Sequence, residues 1–136
     1  MKTIYIASHF ESYKFVQTLA KDLEVYGYKF DFDWTQHKSL EALAANNPAI
    51  AKATSAHDIL GAMTCDVFLL LADGESRGAH TEFGIALAAR LLTGRPKDIV
   101  VYYTKQNESI FYKAPGVILI QDDKDALFRV LRILNL

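Results

Sequence analysis

Apolar positions along the chain alternate between two periods, and the switches between them outline strands and helices in turn. Thr3–Ala7 (TIYIA) and Val67–Ala72 (VFLLLA) are apolar on both faces, as expected of strands covered on both sides. Tyr13–Tyr26 carries Val16, Leu19, Ala20 and Leu23 at helical spacing, with Gly27 as its stop. Tyr28–Asp33 (YKFDFD) alternates and predicts a second strand, with Trp34 at its end. Ser39–Ala45 reads as a short helical stretch broken by Asn46-Asn47-Pro48. Asn47 and Pro48 suit the N-cap and first position of a new helix running to about Thr64. After the third strand, Asp73–Gly78 is turn chemistry. From Ala79 a helix sets Phe83, Ala86, Leu87 and Leu91 on one face until Gly94-Arg95-Pro96, with Glu82 in its first turn. Ile99–Tyr103 and Val117–Ile120 predict two more strands around the polar loop Thr104–Gly116, and Asp122–Leu134 a last helix with Leu127, Val130, Leu131 and Leu134 inward.

Strands alternating with helices predict an α/β fold: a flavodoxin-like, doubly wound, five-stranded parallel sheet of order 2-1-3-4-5 with helices on both faces. One domain over residues 1–136 is expected. Ligands of such sheets bind beyond the carboxyl ends of the strands, at the switch point between strands one and three. There the Ser8–Ser12 and Asp73–Gly78 loops face one another, and Tyr5 can approach Glu82.

Composition narrows the function. Fifteen basic against sixteen acidic residues argue against a general nucleic-acid or membrane-surface binder. Cys65 is the one cysteine, so neither a disulfide framework nor a cysteine-based zinc site is available. No apolar run approaches the ~18 residues of a membrane span, and the first residues lack a signal-peptide pattern, so a cytoplasmic location is expected.

Several motifs fail. His80-Thr81-Glu82 resembles the H-x-E of zinc deaminases, but no P-C-x-x-C follows. Neither G-x-G-x-x-G nor a G-x-S-x-G elbow is present. His9, His37, His57 and His80 show no ligand spacing, and no metal or cofactor is expected. What remains is carboxylate chemistry. Glu82 reads either as an ionised nucleophile or base at the strand ends, or as an acid that only serves the helix dipole. Asp58 shares a helical face with Lys52 and Ser55. It reads either as part of a solvated stripe, or as the acid partner of Glu82 in cleaving a glycosidic bond.

Three segments, in order, resemble the nucleoside 2-deoxyribosyltransferase superfamily, including its 2'-deoxynucleoside 5'-monophosphate N-hydrolase branch. They are Thr3-Ile4-Tyr5-Ile6, Asp58 ahead of the Asp66-Val67 strand start, and Ser76-x-Gly78-x-x-x-Glu82-Phe83-Gly84 with Ala86-Leu87-Ala88. The resemblance implies that Glu82 attacks the anomeric carbon, Tyr5 holds Glu82 by a hydrogen bond, and Asp58 protonates the departing base. The sugar then passes to water in a hydrolase, or to a second base in a transferase.

The resemblance also bears on the substrate. Transferases tend to carry Asp six residues before the glutamate, for a free 5'-hydroxyl, and monophosphate hydrolases Ser, for a 5'-phosphate. Ser76 stands there, with Gly78 and Arg77 beside it. In the loop after strand four, Ser109 matches the hydrolases, while Asn107 suits the transferases; in the family this loop completes the neighbouring subunit's site. The first loop points the other way. Ala7-Ser8-His9-Phe10-Glu11-Ser12 lacks the hydrolases' glycine- and arginine-bearing pattern, and Phe10 resembles the transferases' base-packing aromatic. Ser8 and Trp34 are further candidates for substrate contact. The balance favours the hydrolase slightly. A homodimer, or a larger dimer-based oligomer, is implied, in keeping with Ile85, Ala88, Ala89 and Leu92 lying off the first apolar face of the Glu82 helix. A non-catalytic nucleotide-binding module and an NAD-cleaving glycosidase are the competing readings.

Overall fold

In a computed structural model, which describes residues 1–37, 45–72, 76–104 and 109–136 and only the backbone of Phe10, the chain builds a sheet from β1 (Lys2–Ser8), β2 (Tyr28–Lys29), β3 (Val67–Ala72), β4 (Asp98–Tyr103) and β5 (Val117–Gln121). All neighbours pair in parallel, in the order β2-β1-β3-β4-β5, as the pattern of strands and helices predicts. Every residue of β3 is buried, which explains its unbroken apolar run. Among the described residues, four α-helices flank the sheet: α1 (Tyr13–Glu24), α2 (Pro48–Thr64), α3 (Arg77–Thr93) and α4 (Lys124–Leu134).

The helices divide between two faces. α1 and α4 meet through the Tyr26 and Phe128 rings and through Lys124 over the Phe15 ring. The Tyr28 hydroxyl donates to the Leu131 carbonyl at 2.6 Å, tying β2 to α4. α2 and α3 pack against each other on the opposite face, over Tyr5, Phe68 and Phe83. No helix among the described residues is long and apolar enough to cross a membrane.

Two caps form where the sequence predicts them. Asn47 Oδ1 accepts from the Ala49 and Ile50 amides at 3.1 and 3.3 Å, with Pro48 opening α2. Gly94 ends α3 with φ +80°, a left-handed conformation that glycine adopts without strain. Gly61 serves another purpose: a Cβ there would stand 2.5 Å from the Tyr5 ring, so its bare backbone lets α2 settle onto β1.

Other expectations are corrected. β2 spans two residues instead of running to Asp33. The alternation in YKFDFD has a different cause: Phe30 meets the Tyr5 ring edge-on at 5.6 Å, Phe32 lies 5.1 Å from His57, and Asp33 caps the next turn through Thr35. α1 stops at Glu24, ahead of Val25 and Tyr26, and α4 starts at Lys124 because Asp123, not Asp122, is its cap. α3 starts at Arg77, capped by Ser76, so Glu82 falls in its second turn. Leu91 is 89 % exposed, and Ala89 is buried in its place. The expected stretch Ser39–Ala45 lies, except for Ala45, outside the described residues, as do residues 73–75 of the loop after β3.

Candidate active site

The ends of β1 and β3 lie side by side, Ser8 in register with Leu71, and the helices following β1's neighbours rise around them. A cleft of about 480 Å³ opens there, a size suited to a nucleotide-scale molecule. Its walls come from four parts of the chain: Ser8 and His9 at the end of β1, Trp34, then Ser55, Asp58 and Ile59 on α2, and Ser76 to Ala79 with Thr81, Glu82 and Ile85 at the start of α3.

Tyr5 is the pivot. Its ring is fully buried between Phe68, stacked at 5.8 Å, and Phe30. Its hydroxyl donates to Glu82 Oε2. Burial, then the nearby Glu82 and Asp58 carboxylates, push the phenol far above its ordinary range, so it stays a proton donor at any working pH. The correction to α3 matters here. A helix dipole acts on acids of the first turn, and Glu82 is beyond it. The helix dipole therefore does not account for Glu82, whereas the bond from Tyr5 fixes its Oε2 at the cleft wall.

Asp58 lines the same cleft from α2. Its side chain is 25 % exposed, and burial raises its carboxyl above the usual range even though His57 Nδ1, 3.1 Å from Oδ1, pulls the other way. A carboxyl that resists ionisation is suited to give up a proton on demand. The cleft therefore holds one acid held by a tyrosine and a second whose proton affinity burial raises.

At the mouth of α3, Ser76 Oγ accepts from the Ala79 amide at 3.2 Å. Ser76, Arg77 and Gly78 line the cleft beside the positive end of a seventeen-residue helix, an arrangement suited to an anion. His80 braces this end: its ring bonds the Ser76 carbonyl at 2.8 Å and the Tyr112 hydroxyl at 2.7 Å. Because a carbonyl only accepts, Nδ1 carries a proton. Trp34 is 8 % exposed, and its indole N–H donates to the Ile6 carbonyl at 2.6 Å, which orients the ring at the cleft wall. Ser8 Oγ is buried against the cleft and has no hydrogen-bond partner among the described residues, which suits it to bond a ligand.

Of the residues singled out from sequence, Glu82, Asp58, Ser76, Arg77, Gly78, Ser8 and Trp34 line the cleft, and Tyr5 lies beneath it. Ser109 does not: its Oγ accepts from the Phe111 amide, opening the 3-10 turn Ile110–Lys113. Asn107 and the Phe10 side chain lie outside the described residues. Sequence reasoning passed over His9, Ile59, Thr81 and Ile85. Ile85 had a signal, since it stands three residues after Glu82 on the same helical face, and so did His9, which sits in the Ser8–Ser12 loop expected at the switch point. Among the described residues, no group of three or more His, Cys, Asp and Glu side chains could hold a metal ion.

No family model matches the chain, and no curated protein matches it. Among solved structures it is similar to the CMP N-glycosidase BcmB of Clostridium botulinum, at 20 % identity and a TM-score of 0.64, over 97 % of this chain and 98 % of that one. At that identity the likeness concerns the fold alone.

Proposed function

We propose that the protein is an N-glycosidase that cleaves the bond between base and sugar in a nucleoside 5'-monophosphate, releasing free base and sugar 5-phosphate. The observation that carries this reading is the pairing, in one cleft, of a carboxylate held by a buried tyrosine with a second carboxyl whose pKa burial raises. The likeness in fold to a CMP N-glycosidase supports it.

In the proposed reaction Glu82 attacks C1' and the C1'–N bond breaks. The bonding pair leaves with the base, whose nitrogen takes the Asp58 proton. Water then attacks C1' of the glycosyl-Glu82 ester, delivers its proton to Asp58 and frees Glu82. The Tyr5 hydroxyl holds the spare oxygen of Glu82 throughout. Ser76, the first amides of α3 and Arg77 receive the 5'-phosphate, while Trp34 and Ser8 contact base and sugar. The whole chain acts as one domain, working in the cytoplasm as a homodimer whose interface includes Leu91 and Leu92, 89 % and 85 % exposed on α3.

The test incubates the protein with CMP, dCMP, other 5'-monophosphates and the corresponding nucleosides, with and without a second free base. Base released from monophosphates and not from nucleosides is expected. Base exchange without a phosphate requirement would instead make the protein a deoxyribosyltransferase, and turnover of nothing would leave a binding module. Glu82→Ala should lower turnover at least about 10³-fold.

A further inference from the structure

His57 belongs neither to the cleft wall nor to the core, yet its ring is closely held. Phe32 lies 5.1 Å from it, and His37 meets it edge-on at 4.5 Å. Its Nδ1 stands 3.1 Å from Asp58 Oδ1, and both side chains are 25 % exposed. Adjacent residues on a helix do not normally face one another. Here the two rings on its flanks turn the imidazole back toward its neighbour.

Resting on Asp58 as the acid of the proposed function, we infer that His57 is a positioning residue that binds Asp58 Oδ1 and so assigns the acid proton to Oδ2. With Nδ1–H donating to Oδ1, that oxygen is occupied, and the proton rides on the oxygen left free for the cleft. When Oδ2 passes its proton to the base nitrogen, the carboxylate that forms is met at once by a charge-assisted hydrogen bond. The bond strengthens as the leaving group departs, so it favours the transition state over the ground state. The water that later attacks C1' returns its proton to Oδ2, and His57 neither gains nor loses one. The groups facing Asp58 are His57 on its own helix, His37 from the turn before α2, Tyr5 from β1 and Glu82 from α3. Tyr5 and Glu82 are part of the reaction machinery, and His37 acts on Asp58 from a distance, which leaves His57 as the one direct donor to it among these.

The direction of the effect is fixed. A donor to the carboxylate lowers its proton affinity, so removing His57 raises the Asp58 pKa further. His57→Ala should move the Asp58 titration upward by about half a unit or more, read from the side-chain carbonyl-carbon shift in labelled protein against pH. His57→Asn, whose amide nitrogen occupies nearly the place of Nδ1, should return it toward the wild-type value. On CMP and dCMP, His57→Ala should cut kcat about tenfold with KM little changed, and should carry the alkaline limb of the pH profile upward. His57→Asn should recover most of both. An Asp58 titration that is the same in wild type and His57→Ala overturns the inference, whatever the turnover. Full turnover in Asp58→Asn overturns the acid assignment itself, which separates that failure from this one.

Discussion

Asp58 and Asp66 lie eight residues apart and titrate in opposite directions, for reasons visible in their neighbours. Burial raises the Asp58 carboxyl, and the single bond from His57 does not offset it. At Asp66 burial also acts upward, but the Thr3 amide and hydroxyl and the Arg95 guanidinium, 2.7 Å away, together outweigh it. For Asp66, folding favours the anion, so its contribution to stability is present at neutral pH and fades as pH falls through its lowered value. For Asp58 the sign reverses. Its contribution is whole below the unfolded carboxylate range and is lost as pH rises through its raised folded value. Ionising Asp58 thus costs the fold stability, as a residue kept for chemistry can. Asp58→Asn should raise Tm at pH 8, while lowering turnover about 10²- to 10⁴-fold. The gain should shrink toward pH 4. Melting curves at both pH values decide it, and an unchanged or lower Tm at pH 8 contradicts the assigned burial cost. Tyr5→Phe removes one hydrogen bond to a carboxylate and should cost about 10- to 100-fold in kcat.

Two elements carry the site, and each was legible to a different depth. The start of α2 was plain from Asn47-Pro48, because capping is local chemistry. Its seating on Tyr5 was not, because Gly61 reads in sequence as an ordinary helix glycine. The structure separates two opposing effects there. Gly61→Ala gains up to about 1 kcal/mol of helix propensity but drives a methyl to 2.5 Å from the Tyr5 ring and 2.6 Å from Phe32 Cβ, an overpacking cost of roughly 1–3 kcal/mol. The net should be destabilising. Gly84→Ala on α3, where a Cβ meets nothing within 4 Å, should instead stabilise. Denaturant midpoints for the pair test the comparison, and a stable Gly61→Ala variant would mean α2 is free to shift off Tyr5. The start of α3 was misread by two residues because Ser76 looks like loop chemistry, yet that serine is both cap and proposed phosphate contact. Ser76→Asp divides the two roles. Asp is as good a cap, so stability should hold, whereas a carboxylate beside the phosphate should cut kcat/KM for monophosphates roughly 100-fold. Equal kcat/KM in wild type and variant would remove Ser76 from the phosphate site. The short β2 shows the converse error, since Phe30 and Phe32 alternate for the sake of Tyr5 and His57 and not for a strand ladder.

At the scale of the molecule, the parallel sheet followed from the order of apolar runs, because parallel strands buried on both faces leave no other use for segments like VFLLLA. What sequence periodicity could not divide was α3, apolar nearly all round. The structure divides it: Ala79, Phe83, Ala86 and Ala89 face inward, while Leu91 and Leu92 stand almost wholly open, with Leu60 of α2 47 % exposed on the same side of the sheet. Covering a leucine is worth about 1.5–3 kcal/mol, so three of them form a sizeable incentive for association. Under the proposed homodimer, wild type should run in solution at twice the 15.3 kDa of one chain. Leu91→Glu should run at the single-chain mass, because a carboxylate carried into that contact would have to be desolvated without a partner. If the loop after β4 completes the neighbour's cleft, the variant should also lose turnover, and wild-type specific activity should fall on dilution below the dimer's Kd. Light scattering and a dilution series read both quantities. A wild-type mass of 15.3 kDa with full turnover would refute the dimer, and would make Leu91 and Leu92 an open apolar patch serving neither core nor site.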